Sequence, residues 1–468
     1  MMPVVLWTDA LIFILTLMVT GFVLYARSKP HIRAPWQRVF TGRIATASVV
    51  ILGAFILIGL LDSLHFRLSL EDTGNNDETH YSGEVLSVLD ILLGPVRTQV
   101  EKTYSAPFAT HLFARETVEL DDGSQVRAYP RLQYGGRHLQ GSDNSRIRDI
   151  LSRSLLALLE ALLASLLLLL AVAARLARRQ GKTTRVMLHV IWQRDTRLPW
   201  RTLLTTVALL LLLFFLVLNL ASAYHILGTD KVGQDVFYQS LKSVRTGLVI
   251  GTLTTLIMLP FAIFLGIVAG YARGWTDDVV QYLYTTLNSI PGVLLIAASI
   301  LMLQVYISNH PEFFETTVER ADIRLLFLCI ILGITSWTGL CRLLRGETLK
   351  LREAEYIQAA SSFGVAHGKI ISRHILPNVM HVVLISVVLD FSGLVLAEAV
   401  LSYVGVGVDP TMNSWGNMIN SARLEMAREP VVWWSLLSAF LFMFVLVLAA
   451  NLFSDAVRDA FDPRTRER

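Results

Sequence analysis

Nine separate runs of mostly apolar residues dominate the chain, at about 4–25, 44–61, 154–174, 203–221, 246–270, 279–305, 324–341, 379–402 and 433–453. A bilayer core takes about 20 such residues per helix, and a spanning segment must bond its own backbone polar groups internally. The predicted fold class is therefore an all-α polytopic membrane protein with about nine transmembrane helices. Composition agrees: 53% of residues are hydrophobic and 17% charged, against roughly 25% charged in ordinary soluble domains. Both cysteines, Cys329 and Cys341, lie in one apolar stretch, which excludes a disulfide scaffold. The first run has no basic residues before it and no small-residue cleavage site, so it reads as a retained helix, not a secretory signal.

Lys and Arg placement sets the orientation. Residues 26–43 carry five basic residues and no acid, and 175–201 carry eight against the single Asp195. Residues 1–8 have none, 306–323 hold Arg320 among Glu312, Glu315, Glu319 and Asp322, and 342–373 again hold six. The alternation predicts an outside N-terminus and, with an odd number of spans, an inside C-terminus. The net charge of +4 is thus a matter of sidedness and not a sign of nucleic-acid binding.

The long insertion at 62–153 falls on the outer side, with 14 Asp/Glu against 10 Lys/Arg. It contains turn-rich pieces such as Thr73–Asp77. Alternating segments Thr117–Leu120 and Gln125–Tyr129, joined through Asp121-Asp122-Gly123, predict a hairpin. The apolar stretch Val85–Leu93 is too short to span, and reads as the core of a small extracytoplasmic domain or as an interfacial helix.

Signals for bond chemistry fail on inspection. Gly181-Lys182-Thr183 lacks the first glycine of a phosphate loop, since position 176 is Leu; Gly364 and Gly368-Lys369 are too close together, and Ile370 replaces the hydroxyl that would bind magnesium. No HExxH-type pair, Cys/His cluster or GxSxG elbow is present. The ionisable residues inside spans are Asp9, Glu160, Asp390 and Glu398, each of which must face protein or a watery cavity. Asp390 and Glu398 are candidates for the pathway or for helix packing; for Asp9 and Glu160, near helix ends, packing is the favoured reading.

Between the seventh and eighth runs lies Arg352-Glu353-Ala354-Glu355-Tyr356-Ile357-Gln358-Ala359-Ala360-Ser361-Ser362-Phe363-Gly364. Tyr356, Ala360 and Phe363 recur at helical spacing and predict one apolar face. Gly364 fits the end of that helix, and Pro377 the entry to the next span. A narrow, alanine-rich stripe with Glu353 and Glu355 suits docking on a cytosolic protein better than lying in lipid headgroups.

Gln358-Ala359-Ala360, then Gly364, then Leu376-Pro377 resembles the EAA loop of permease subunits in binding-protein-dependent ABC importers. Leu227-Gly228-Thr229-Asp230-Lys231-Val232-Gly233-Gln234-Asp235-Val236 resembles the LGTDxxGRDV signature of the oligopeptide/dipeptide/nickel permease branch. Glu398 to Gly407, Ser414-Trp415-Gly416-Asn417-Met418 and the tail from Asp455 to Arg464 are similar to that branch as well. The resemblance covers about 200–468, and the motif order is that of the "C" member of the permease pair. Gln358 stands where Glu is usual and Gln234 where Arg is usual. Residues 1–199 have no counterpart in the common core.

The apolar runs and charges divide residues 1–199 into two N-terminal spans (1–61), an extracytoplasmic domain (62–153) and a third span with a basic cytoplasmic linker (154–199); the resemblance implies a six-helix permease core (200–468) with a coupling loop at 342–378. It implies a non-enzymatic subunit of the bacterial inner membrane, working by alternating access on peptides or similar small solutes. Its implied partners are a second homologous permease, two cytosolic ATPase subunits and an extracytoplasmic solute-binding protein. It binds no cofactor itself, ATP and magnesium sitting on the ATPases. Glu355, Tyr356, Gln358, Ala359, Ala360, Phe363, Gly364, Leu376 and Pro377 would couple to the ATPase. Gly228, Thr229, Asp230, Gly233 and Asp235 form the motif before the second core span, where the acids cap helix ends or meet the binding protein, capping being favoured. Pro260 and Pro291-Gly292 supply kinks, either hinges or ordinary packing kinks. The outer domain docks the binding protein or packs as a peripheral scaffold. The rival expectation is an ion-coupled secondary transporter using Asp390 and Glu398, although the chain shows no paired internal repeat.

Overall fold

The computed structural model describes residues 2–69, 81–119, 125–139, 144–193, 196, 198–310, 312 and 316–461. Thr73–Asp77, the Asp121-Asp122-Gly123 turn and the tail beyond Phe461 lie outside the described residues. In chain order the elements are β1 (Met2–Val4), α1 (Trp7–Ser28), α2 (Pro30–Val39), α3 (Arg43–Asp62), β2 (His65–Arg67), β3 (Leu86–Ser87), α4 (Val88–Leu92), α5 (Gly94–Thr98), β4 (Glu116–Glu119) and β5 (Gln125–Ala128). There follow α6 (Asn144–Gln180), α7 (Thr184–Gln193), α8 (Trp200–Ala221), α9 (Val236–Ala272), α10 (Trp275–Ser289), α11 (Gly292–Asn309), α12 (Thr317–Arg352) and α13 (Glu355–Ser362). The last are α14 (His367–Ile370), a π-helical turn (Ile371–Ile375), α15 (Leu376–Tyr403), α16 (Trp415–Glu425) and α17 (Trp434–Phe461).

Among the described residues, nine helical stretches are long and apolar enough to cross a membrane: α1, α3, α6, α8, α9, α11, α12, His367–Tyr403 and α17. Each coincides with one of the nine apolar runs. Several extend well past them. The run beginning at 246 belongs to a 37-residue helix starting at Val236, because Tyr238, Gln239, Ser240, Lys242 and Ser243 continue the helix without apolar character.

The run 279–305 is not one helix. α10 ends at Ser289, Ile290 is extended (φ −88°, ψ 127°), and α11 starts after Pro291. Pro291 has no N–H to donate and disfavours helical backbone in the residue before it, so the break falls at Ile290. Pro260, by contrast, stays inside α9.

By packing, the chain forms two units, each assembled from separate stretches. One holds the residues up to Val4, Trp36–Arg245 and Asn413–Leu452. The other holds Val5–Pro35, Thr246–Met412 and the residues from Phe453.

In the first unit β1, β2 and β3 form a small antiparallel sheet, and β4 pairs with β5 from Glu116↔Ala128 to Glu119↔Gln125. The latter is the predicted hairpin. Val85–Leu93 contributes β3 and α4, burying Leu86 and Leu89. α6 presents Ala157 and Ala161, both nearly inaccessible, on the helix that packs along α8. Glu160 on the same helix accepts from Asn219 Nδ2 of α8 at 2.7 Å, the packing role expected of it.

In the second unit two cores sit along α9, α12 and α15. One gathers Met258, Ala262, Trp337, Leu344, Ile370 and Val379; the other gathers Ile250, Leu253, Ile300, Leu325 and Leu328. Gly266 and Gly270, four residues apart on α9, let that helix meet α12 closely. A Cβ on either would overlap backbone of α12, at the carbonyls of Cys341 and Arg345. α1 belongs to this unit: Leu11 and Ile12 pack on its core, and the Thr8 N–H donates to Asp322 Oδ2 at 3.1 Å, with the Thr8 hydroxyl bonded to Oδ1. The carboxylate thereby satisfies free donors at the start of α1.

Candidate coupling site and the clamp on the LGTD segment

The helix α13 hangs between the long helices α12 and α15. Its anchor is Ile357, 2% exposed in the core with Leu344 and Ile370, and Ala360 packs against the same cluster. This corrects the predicted face. Ala360 turns inward with Ile357, three residues before it, so the outward stripe is Tyr356, Ala359 and Phe363, with Tyr356 47% and Phe363 87% exposed. Ile357 was missed because two alanines beside it made the opposite side look equally apolar.

The end of α13 is closed by backbone bonds from Gly364 N–H to Ser361 O (3.0 Å) and from Val365 N–H to Ala360 O (3.1 Å). Gly364 takes φ +74°, the left-handed residue of this closure, and a Cβ added there would meet open space. The glycine is required by conformation, not by contact. Gln358 donates to Glu353 O at 3.1 Å, a bond the more usual glutamate, as a carboxylate, could not donate. Glu355 is exposed in the first turn.

Both ends of the loop are fastened. Arg352 donates to Tyr271 O at 2.7 Å, Arg273 pairs with Glu353, and the Tyr271 hydroxyl meets His367 Nδ1 at 2.7 Å. Arg345 forks onto Asp277 of α10 with bonds of 2.5 and 2.7 Å, and its guanidinium holds that carboxyl below its ordinary value. On the other side, Asn378 Nδ2 donates to His374 O at 2.6 Å and to the Tyr356 hydroxyl at 3.2 Å. Pro377 lies in the first turn of α15 just past the π-helical turn, where its missing N–H is accommodated, and Leu376 is half-buried against the core. α13 therefore rides on a rigid frame, with its apolar stripe uncovered.

The LGTD segment lies in the first unit, and the 62–153 insertion grips it. The Thr229 hydroxyl accepts from Ser105 N–H (2.7 Å) and donates to Thr103 O (2.8 Å), while Thr229 O accepts from Trp434 Nε1 (2.9 Å). Asp235 caps α9, accepting from the N–H groups of Phe237 (2.8 Å) and Tyr238 (3.1 Å). Asp230 closes the turn on the N–H groups of Val232 and Gln234. Asp235 thus caps a helix end, whereas Asp230 braces the turn ahead of that helix. Gly228 (φ +70°) and Gly233 (φ +78°) are constrained twice, since a Cβ would overlap the carbonyls of Ser105 and Glu101.

Behind this segment His225 is sandwiched between carboxylates, 2.8 Å from Asp235 through Nδ1 and 3.5 Å from Glu101 through Nε2. Glu101 also accepts three backbone bonds, from Gln133, Tyr134 and Gly135 at 2.8–3.0 Å. Burial opposes the charge on both groups, but the opposite charges and bonds prevail. His225 is pushed up to about 9 and Glu101 held down to about 2. A second knot joins Lys242 of α9 to Asp62 of α3 and Asp90 of α4, with the Tyr238 hydroxyl donating to Asp90 at 2.7 Å. Apart from His225 and Asp235, ten residues apart, these partners are distant in sequence, which is why they escaped sequence reading.

The intramembrane carboxylates separate. Glu398 is 2% exposed and accepts from the Ser402 hydroxyl at 2.7 Å, a packing role. Asp390 is half-buried and has no hydrogen-bond or ion-pair partner among the described residues. The break at Ile290-Pro291 opens on a cleft of about 470 Å³ lined by Asn288, Gly292, Thr335, Ser336 and Ala397, among others. Irregular backbone at membrane depth is tolerated where it lines such a cavity.

Among the described residues, then, nine helices are long and apolar enough to cross a membrane, and a short helix with an exposed apolar stripe is mounted between two long helices of the second unit. Residues 262–467 match the model for "Binding-protein-dependent transport system inner membrane component". The chain is 31% identical over 243 residues to the oligopeptide transport system permease protein OppC of Haemophilus influenzae, covering 52% of this chain and 71% of that one. It is 31% identical over 245 residues to the glutathione transport system permease protein GsiD of Pectobacterium atrosepticum, covering 52% and 74%, and 28% identical to the dipeptide permease DppC of Bacillus subtilis, covering 52% and 70%. The chain belongs to the binding-protein-dependent transport permeases, and is a transmembrane permease of an ABC importer. About half of it lies outside these similarities.

Proposed function

We propose that this chain and a second, homologous permease form the pathway for peptides or similar small solutes, alternating between outward and inward openings. The observation that carries this reading is α13: Ile357 anchors it to α12 and α15, while Tyr356, Ala359 and Phe363 face outward without cover. Cytosolic ATPase subunits, which carry ATP and magnesium, seat on that stripe and move the frame around it. The names of the relatives, oligopeptide, dipeptide and glutathione permeases, support a peptide-like substrate. An extracytoplasmic binding protein delivers it.

The Lys/Arg distribution supports an outside N-terminus and an inside C-terminus, which puts the 62–153 insertion on the delivery side. There it acts as a scaffold that fixes the LGTD segment ahead of α9. The bonds from 101–105 to 225–235, with Glu101 itself held by the backbone of 133–135, support this over a role confined to docking the binding protein. Asp390, whose carboxylate has no partner among the described residues, is assigned to the watery pathway. The bonded Glu398 removes half of the carboxylate pair that the ion-coupled reading needs. Co-purification tests the proposal: gentle extraction of the tagged chain brings ATPase subunits with it, and a Tyr356→Ala/Phe363→Ala variant does not. Equal recovery from both would sink the assignment of α13.

A further inference from the structure

The end of the third span carries five closely spaced cations. Arg175, Arg178 and Arg179 close α6, Lys182 sits in the turn after it, and Arg185 lies in the first turn of α7. All five are exposed, and none has a hydrogen-bond or ion-pair partner among the described residues. Asp195, the one acid of the 175–201 stretch, lies outside those residues.

The geometry of this end is specific. Gly181 (φ +63°) terminates α6, with Lys182 N–H bonded to Ala177 O at 3.0 Å. α7 then packs back, so that Met187 and Ile191 join Ala173, Ala177 and Leu204 in one buried cluster. Ala173 and Ala177 therefore mark the inner face of α6, and Arg175, Arg178 and Arg179 stand on the outer one. Tracing that outer stripe back in four-residue steps from Arg175 gives Ala171, Leu167 and Leu163, all exposed, the two leucines 58% and 60%. One continuous stripe thus passes from lipid-facing leucine to arginine within about three turns. Trp192, 69% exposed at the far end of α7, lies under the Arg201 guanidinium at 4.7 Å, an amphipathic ring suited to headgroup depth.

A phospholipid presents the same order of chemistry, acyl chain and then phosphate. We propose that the α6–α7 hairpin is a binding site for an anionic phospholipid, its chains along Leu163 and Leu167 and its headgroup held by the cations from Arg175 to Arg185. Orientation of the span needs only positive charge near its end. It does not call for cations continuous with an exposed leucine stripe, nor for a second helix folded back beside them. The site lies in the part of the chain outside the family match and is independent of α13 and of the transported solute.

The test uses the full-length chain, purified in neutral detergent and mixed with equal amounts of phosphatidylglycerol and phosphatidylcholine, with retained lipid read by native mass spectrometry. Wild type is expected to retain phosphatidylglycerol preferentially, less so as salt is raised. Lys182→Gln/Arg185→Gln leaves the three span-end arginines to hold orientation, and is expected to bind it about 25-fold more weakly, at about fivefold per charge. Arg178→Gln alone gives about fivefold, which keeps the test open if the double variant does not purify. Arg27→Gln/Lys29→Gln, in the other basic loop, leaves retention unchanged. Equal retention of the two lipids, unchanged binding in the α6–α7 variants, an equal loss in the Arg27/Lys29 control, or displacement by millimolar inorganic phosphate would each overturn the proposal.

Discussion

Glu101 and His225 face each other at 3.5 Å, both almost wholly buried, across 124 positions of sequence. Through this pair the insertion after span two holds the segment that leads into α9, and Asp235 completes the arrangement from the other side of the imidazole. The pair makes the insertion part of the unit that holds the LGTD segment.

A pH dependence follows from it. His225 is raised from 6.5 to about 9, so its contribution is complete below 6.5 and is lost as pH climbs through 9. Glu101 is lowered from 4.5 to about 2, so its contribution is complete above 4.5 and is lost as pH falls toward 2. The clamp should be firmest between about pH 4.5 and 6.5. Hydrogen exchange of residues 101–105 should quicken between pH 7 and 9 beyond the intrinsic rate, and His225→Gln should remove that extra rise.

Two of the left-handed glycines, Gly364 and Gly233, should differ in what they tolerate. Gly364→Ala meets open space and costs only the conformational penalty, about 1–2 kcal/mol. Gly233→Ala adds an overlap with the Glu101 carbonyl and should cost at least 1 kcal/mol more. Thermal unfolding of the two variants in one detergent would compare them directly; equal losses would mean the insertion is not seated on Gly233.

Removing Lys242 strands two buried carboxylates, Asp62 and Asp90, whose neighbours were arranged around an ammonium. Lys242→Met should destabilise the chain by about 3–5 kcal/mol, as for other broken buried pairs. Restoring much of this with the triple change Lys242→Met/Asp62→Asn/Asp90→Asn would confirm that charge, not packing, is at stake.

Asp390→Asn and Glu398→Gln should part ways. Neutralising Asp390 should leave stability equal or higher and lower the rate of solute uptake. Glu398→Gln keeps its bond to Ser402 and should leave uptake near wild type. The reverse ranking in a proteoliposome assay would exchange their roles.

The nine spans were legible because lipid demands long apolar runs, and each run but 279–305, which is divided between α10 and α11, found a single helix. Where polar residues continue a helix, as at Tyr238–Ser243 in α9, hydropathy has nothing to detect. The break at Ile290-Pro291 had its signal in the proline, yet the apolar run on either side outweighed it. The coupling loop was legible as a motif, but not the inward turn of Ala360, because helical spacing alone does not say which of two apolar faces meets the core. The Gly266–Gly270 spacing could have been read as a close helix crossing. The Glu101–His225 and Lys242–Asp62 contacts could not, since local pattern carries no information about partners more than a hundred residues apart.

In the proposed function α13 is the point where ATP hydrolysis is transmitted. The direct measurement is ATP-dependent uptake of a labelled oligopeptide into proteoliposomes holding this chain with its partner permease, ATPases and binding protein, for wild type and for Tyr356→Ala/Phe363→Ala. Both side chains are exposed, so the variant chain should fold and unfold like wild type, within about 0.5 kcal/mol. Uptake should fall at least tenfold, with substrate no longer stimulating ATP hydrolysis. Undiminished ATP-driven uptake through the variant would contradict the account.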